Sequence, residues 1–95
     1  MSQILRLVLD VMKPHEPGII EFATEISDLE GIDGVNSSIV EIDRAVENIK
    51  ITVEGPNIKY EELKGVIEKL GGSVHSVDQV ICGEDFVEEI KTPQD

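Results

Sequence analysis

Residues 4–18, Ile4-Leu5-Arg6-Leu7-Val8-Leu9-Asp10-Val11-Met12-Lys13-Pro14-His15-Glu16-Pro17-Gly18, hold a strand, its stop and the entry to a helix. Leu5, Leu7, Leu9 and Val11 recur at every second position, the period with which a strand presents one face. Ile4, Arg6, Val8, Asp10 and Met12 point the other way. Four aliphatics mark the core side. Pro14 and Pro17 then remove ladder donors and end the strand, and Pro17 stands where a first helical turn can begin.

Working outward, the period lengthens. Ile19, Phe22, Ala23, Ile26 and Leu29 form one helical stripe, with Glu21, Thr24, Glu25 and Asp28 away from it. Gly31 and Gly34 close that helix. Residues 35–43 read as a second strand with Val40 and Ile42 inward. Residues 46–54 read as a third with Ile49, Ile51 and Val53 inward, and the short Asp43-Arg44-Ala45 link makes the two a hairpin. Gly55-Pro56-Asn57 breaks the chain, with Asn57 as the expected N-cap of a second helix. That helix carries Leu63, Val66, Ile67 and Leu70 on its apolar stripe. Gly71-Gly72 stops it, and residues 73–82 form the fourth strand.

This order of elements closes in few ways, because crossovers are right-handed and both helices must cover one face. The expected fold is α+β: a ferredoxin-like β-α-β-β-α-β sandwich with a four-stranded antiparallel sheet in order 4-1-3-2 and two helices on one face. The 95 residues form one domain, ordered over about residues 3–84, with a polar tail over 85–95. A chain of this size buries ~60–65% of the surface its unfolded form exposes, which leaves little for an enclosed cavity.

The composition excludes several roles. Eight Lys and Arg stand against 20 Asp and Glu, a formal charge of −12. Nucleic acid and anionic membrane are therefore not expected partners, since such affinity comes from Lys and Arg displacing counterions. The single cysteine, Cys82, gives no internal disulfide and no multi-cysteine metal site. The start shows no secretory pattern. The longest apolar run, Leu7 to Leu9, is too short to span a bilayer, so a cytoplasmic protein is expected. One Tyr and two Phe offer no stacking platform for single-stranded RNA.

The topology gathers distant polar residues. Strand 1 ends where helix 1 and strand 4 begin and where the hairpin turns, so both histidines, His15 and His75, fall at one end, with Lys13, Glu16 and Asp43 near. The functional reading is a ligand site of Lys13, His15 and His75; the bland one is a proline-ordered loop with a histidine packed on it. No H-x-x-H or C-x-x-C spacing points these side chains at one ion.

On the bare sheet face, Arg6 and Asp10 stand on strand 1, Lys50, Thr52 and Glu54 on strand 3, and Ile39 and Glu41 on strand 2. A regular strand 4 places Ser76, Asp78, Val80 and Cys82 there and buries Val77, Gln79 and Ile81; a bulge would restore the opposite parity. Asp10 and Asp78 are then near-neighbours whose repulsion needs compensation. Arg6, another subunit or a bound divalent cation such as Ca2+ would supply it. Val8, Met12, Ile39 and Val80 among these charges suit subunit contacts.

Leu9-Asp10-Val11-Met12-Lys13-Pro14-His15 and Ser73-Val74-His75-Ser76-Val77-Asp78, with Glu21-Phe22-Ala23, Gly34-Val35-Asn36 and Glu41-Ile42-Asp43 between them, resemble the archaeal family filed as domain of unknown function 211. The resemblance covers roughly Ile4 to Gly83. It implies a ferredoxin-like fold, an archaeal cytoplasm, ring-shaped homo-oligomers and an association with calcium, and it supplies no ligand set and no activity.

Other users of this fold fail on chemistry. A heavy-metal chaperone or a ferredoxin needs cysteine sets, and an acylphosphatase-like enzyme needs an arginine in the first loop. The expected function is a non-catalytic, homo-oligomeric binding or regulatory module for a divalent cation or small metabolite. The alternatives are an enzyme with a His/Asp acid–base site made at a subunit interface, and a purely structural ring or adaptor.

Overall fold

The computed structural model describes residues 2–90. Its elements run β1 (Ile4–Lys13), α1 (Ile19–Ser27), β2 (Gly34–Ile42), β3 (Glu47–Glu54), α2 (Tyr60–Lys69) and β4 (Ser73–Cys82). The antiparallel sheet has the order β2-β3-β1-β4, the ferredoxin-like topology expected from the sequence. One helical layer on one sheet face gives a flat molecule, 39 × 37 × 17 Å.

The core forms where clean alternation meets the helical stripes. Leu7, Leu9 and Val11 of β1 and Ile49, Ile51 and Val53 of β3 pack beneath Phe22 and Ile26 of α1 and Leu63 and Ile67 of α2. Burying each such side chain contributes about 1.5–3 kcal/mol. The central strands pair in unbroken register from Arg6 opposite Glu54 to Lys13 opposite Glu47. Helix α2 departs from expectation at its start: Lys59 is the N-cap, with no side-chain cap. The Asn57 amide instead bonds Gly31 O at 3.3 Å, and Gly31, with φ of +91°, has no room there for a Cβ.

The outer strands depart from simple alternation. In β4, register shifts fall at Asp78 and at His75. Each shift moves the following residues to the other face, so Val80, Val77 and Val74 stand opposite Leu7, Leu9 and Val11 on the helix side. Gln79 joins Val8 and Ser76 joins Asp10 on the bare face. The regular register, with Gln79 and Ile81 inward and Val80 on the bare face, is thereby corrected, Ile81 standing opposite Arg6. A shift at Val40 likewise corrects β2: Ile39 stands opposite Ile49 on the helix side, while Glu41 stands opposite Asn48 on the bare face.

Beyond β4, Gly83 turns the chain with φ of +118°, and its amide bonds Gln3 O at 2.8 Å. The segment that follows returns to the bare face, with the Phe86 ring 4.5 Å from the Arg6 guanidinium carbon. The rest of the expected tail, residues 91–95, lies outside the described residues.

Candidate functional site

Lys13 continues the parity of Leu7, Leu9 and Val11 and therefore enters the core side, where it is 1% exposed. A buried ammonium is costly unless paired. The register supplies the partner: Lys13 stands opposite Glu47, and its ammonium donates to Glu47 Oε1 at 2.8 Å and to Pro14 O at 2.7 Å. The ring of Phe22 lies 5.4 Å away.

Glu47 binds His15 with its other oxygen. His15 Nδ1 is 3.1 Å from Glu47 Oε2, and Nε2 is 2.9 Å from Arg44 O. Both partners are acceptors, so only the imidazolium, with two N–H groups, donates to both. The Glu47 hydrogen bond, then the Arg44 carbonyl, hold the His15 pKa above its ordinary value. Lys13, then His15, hold Glu47 below the usual carboxylate range. Asp43 closes the hairpin turn by accepting from the Ala45 and Val46 amides, which lower its pKa. This end of the domain is a clasp that ties the β1–α1 loop to the β2–β3 hairpin.

The structure thus joins Lys13 and His15 through Glu47. His75 lies at the same end but across β1, exposed in the β4 shift between Val74 and Ser76. Among the described residues, His75 makes no side-chain hydrogen bond or ion pair. Glu47 escaped the sequence reading, although carrying the β1–β3 register two residues beyond Val11 opposite Ile49 leads to it.

On the bare face, Asp10 lies between Lys50 of β3 and Ser76 of β4 and accepts from Asn48 Nδ2. Asp78, set out by its shift, accepts from Ser76 Oγ at 2.7 Å. The two acids share the face without standing opposite each other. Among the described residues, no group of three or more His, Cys, Asp or Glu could hold a metal ion.

Arg6, one candidate to offset those acids, is engaged elsewhere. Its Nε donates to Glu54 at 2.8 Å, Nη1 to Gln79 at 3.1 Å, and the fork grips both oxygens of Glu88 at 3.0 and 3.1 Å. Those hydrogen bonds, Glu54 first and then Glu88, raise the Arg6 pKa. Beside it lies a dish of about 460 Å³ floored by Val8 and Thr52 and rimmed by Arg6, Lys50, Asp78 and Gln79. A second hollow of about 620 Å³, reaching Val35 and Phe86, shares Thr52 with it.

The element order, the sheet order and the single helical layer define a ferredoxin-like α+β domain. Residues 5–95 match domain of unknown function 211, described as an uncharacterized ArCR. Over 95 residues the chain is 48% identical to the uncharacterized protein MJ0319 of Methanocaldococcus jannaschii, covering 100% of this chain and 98% of that one. The chain belongs to the domain of unknown function 211 family. Among the described residues, no helix is long and apolar enough to cross a membrane.

Proposed function

We propose that this chain is a non-catalytic, self-associating binding or regulatory module of the cytoplasm that closes into a ring of identical subunits. The observation that carries the reading is the pair of outer strands, where β2 exposes Ile39, Val40 and Ile42 and β4 exposes Val77 and Val80. Outer strands carry rows of unpaired amides and carbonyls, and a partner strand satisfies them. β2 and β4 lie at opposite edges, so joining one chain's β2 to the next chain's β4 is heterologous and closes as a ring when the rotation permits. The non-catalytic part is supported by His15, whose two ring nitrogens are both engaged. A small metabolite at the Lys13, His15 and His75 end would first have to open that clasp.

A second reading, a divalent cation such as Ca2+ held between chains, is favoured by Asp78 on the rim of the bare-face dish, with Asp10 on the same face. Calcium takes about six to eight oxygens, so a neighbouring chain would complete such a site.

Light scattering with and without EDTA tests both readings. A species of several chains supports the assembly, and its dissociation by EDTA supports the shared cation. A single-chain species at every concentration removes both.

A further inference from the structure

We propose that Arg6 anchors a carboxylate-binding site on the bare sheet face, held in this structure by the chain's own Glu88, and that a small aromatic carboxylate exchanges with Phe86 and Glu88 there. The inference rests on the reading of the chain as a binding module, and not on its self-association.

The receptor half belongs to the sheet. The Arg6 side chain is 18% exposed and is oriented by Glu54 across the β1–β3 pair and by Gln79 of β4. Two of its nitrogens are thereby aimed at one carboxylate, the fork-to-fork geometry that a guanidinium makes and an ammonium does not. Val8 is buried beside it, and Lys50 and Thr52 border the adjoining dish. Arg6 and Lys50 set two cations around the dish, beside Asp78.

The occupant half is lightly held. After the Gly83 amide, and among the described residues, residues 84–90 make no backbone hydrogen bond to the body of the domain. The segment is anchored by the Phe86 ring over Arg6 and by Glu88, whose side chain is 60% exposed. Val87 and Ile90 are exposed. A segment with so few buried contacts detaches at low cost and leaves the sheet intact.

The two anchors also specify the ligand. Phe86 supplies an aromatic face to the guanidinium, and Glu88 supplies two oxygens to its fork. A molecule carrying both groups on a short link makes both contacts at once. The tethered segment competes from a high effective concentration, so the free ligand binds the intact chain weakly until the tether is weakened.

Titration of the full chain with phenylacetate, followed through the backbone amide resonances that every variant retains, tests this, with phenethylamine as the control that keeps the ring and lacks the carboxylate. Glu88→Gln is expected to bind phenylacetate about tenfold or more tighter than the wild type, since it removes the resident carboxylate. Phe86→Ala, which leaves Arg6 in place, is expected to shift affinity the same way. Arg6→Lys, shown to be folded by circular dichroism, is expected to lose binding, and phenethylamine to bind none of them. Equal phenylacetate affinity in the wild type and Glu88→Gln, or binding of phenethylamine as tight as phenylacetate, overturns the site. Should Arg6→Lys fail to fold, the Glu88→Gln and Phe86→Ala comparison decides alone. A multi-chain assembly whose Glu88→Gln variant ignores phenylacetate removes this inference and leaves the proposed function standing. A single-chain protein that binds phenylacetate in the expected pattern removes the self-association and keeps the site.

Discussion

Lys13 stands directly opposite Glu47 across the β1–β3 pair, and their side chains meet at 2.8 Å with the ammonium removed from solvent. Breaking a buried pair from one side leaves an uncompensated charge, whereas replacing both members by apolar side chains of similar volume is often neutral. Glu47→Ala is therefore expected to lower the melting temperature on the order of 10 °C. Lys13→Met combined with Glu47→Ala recovers most of that loss. Thermal unfolding followed by circular dichroism checks the asymmetry; equal losses in the single and double variants would contradict it.

The clasp also sets a pH dependence. The folded pKa of His15 lies above its ordinary 6.5, so its stabilisation is complete below that value and is lost as pH rises through the raised one. The folded pKa of Glu47 lies below its ordinary 4.5, so its stabilisation is complete above that value and is lost as pH falls through the lowered one. Their combined contribution is greatest between about pH 5 and 6.5. Melting curves across pH 4–9 are expected to show this, and His15→Gln is expected to flatten the alkaline side while weakening the acid side only in part, because Lys13 still holds Glu47 down.

Ser37 stands opposite Ile51 on the helix side of β2, and among the described residues its buried hydroxyl has no hydrogen-bond partner. Ser37→Ala removes a desolvated polar group at little packing cost and is expected to raise stability by about 1 kcal/mol. Leu9→Ala, at the centre of the core, is expected to cost about 2–5 kcal/mol. Denaturant titration reads both changes.

Calcium binding, where it occurs, is expected to follow assembly, because Asp10 and Asp78 do not form a closed ligand set within one chain. Calorimetric titration with calcium chloride is expected to give heat with the assembled wild type and none with an edge variant held as single chains. Equal heat in both would place the ion within one subunit.

The legibility of this chain follows its layers. β3 and the part of β1 beyond Leu5 are flanked by strands on both sides and carry clean alternation, so Leu7, Leu9, Val11, Ile49, Ile51 and Val53 are identifiable from period alone, while a shift at Leu5 packs Ile4, not Leu5, against the core. The outer strands are not legible this way, because single-residue shifts at Val40, His75 and Asp78 reverse parity without a mark in the sequence. The spacing Val74, Val77, Val80 shows the consequence: three residues apart, they share one face of β4. Lys13 has the chemistry of a ligand group, but its parity makes it a core-side residue. The Arg6–Glu88 contact joins positions 82 residues apart in sequence, one of them in an acidic tail without periodicity, so no local signal announces it.

Self-association through the two outer strands is the claim on which the functional reading turns. Sedimentation velocity of the wild type beside the Val40→Lys and Val80→Lys variants tests it most directly. Both positions are more than half exposed, so neither change disturbs the fold, and added lysines lessen the net negative charge, so repulsion does not explain a loss of assembly. The account predicts a discrete multi-chain species for the wild type and single chains for each variant. A wild type that sediments as a single chain, or variants that assemble as it does, would contradict it.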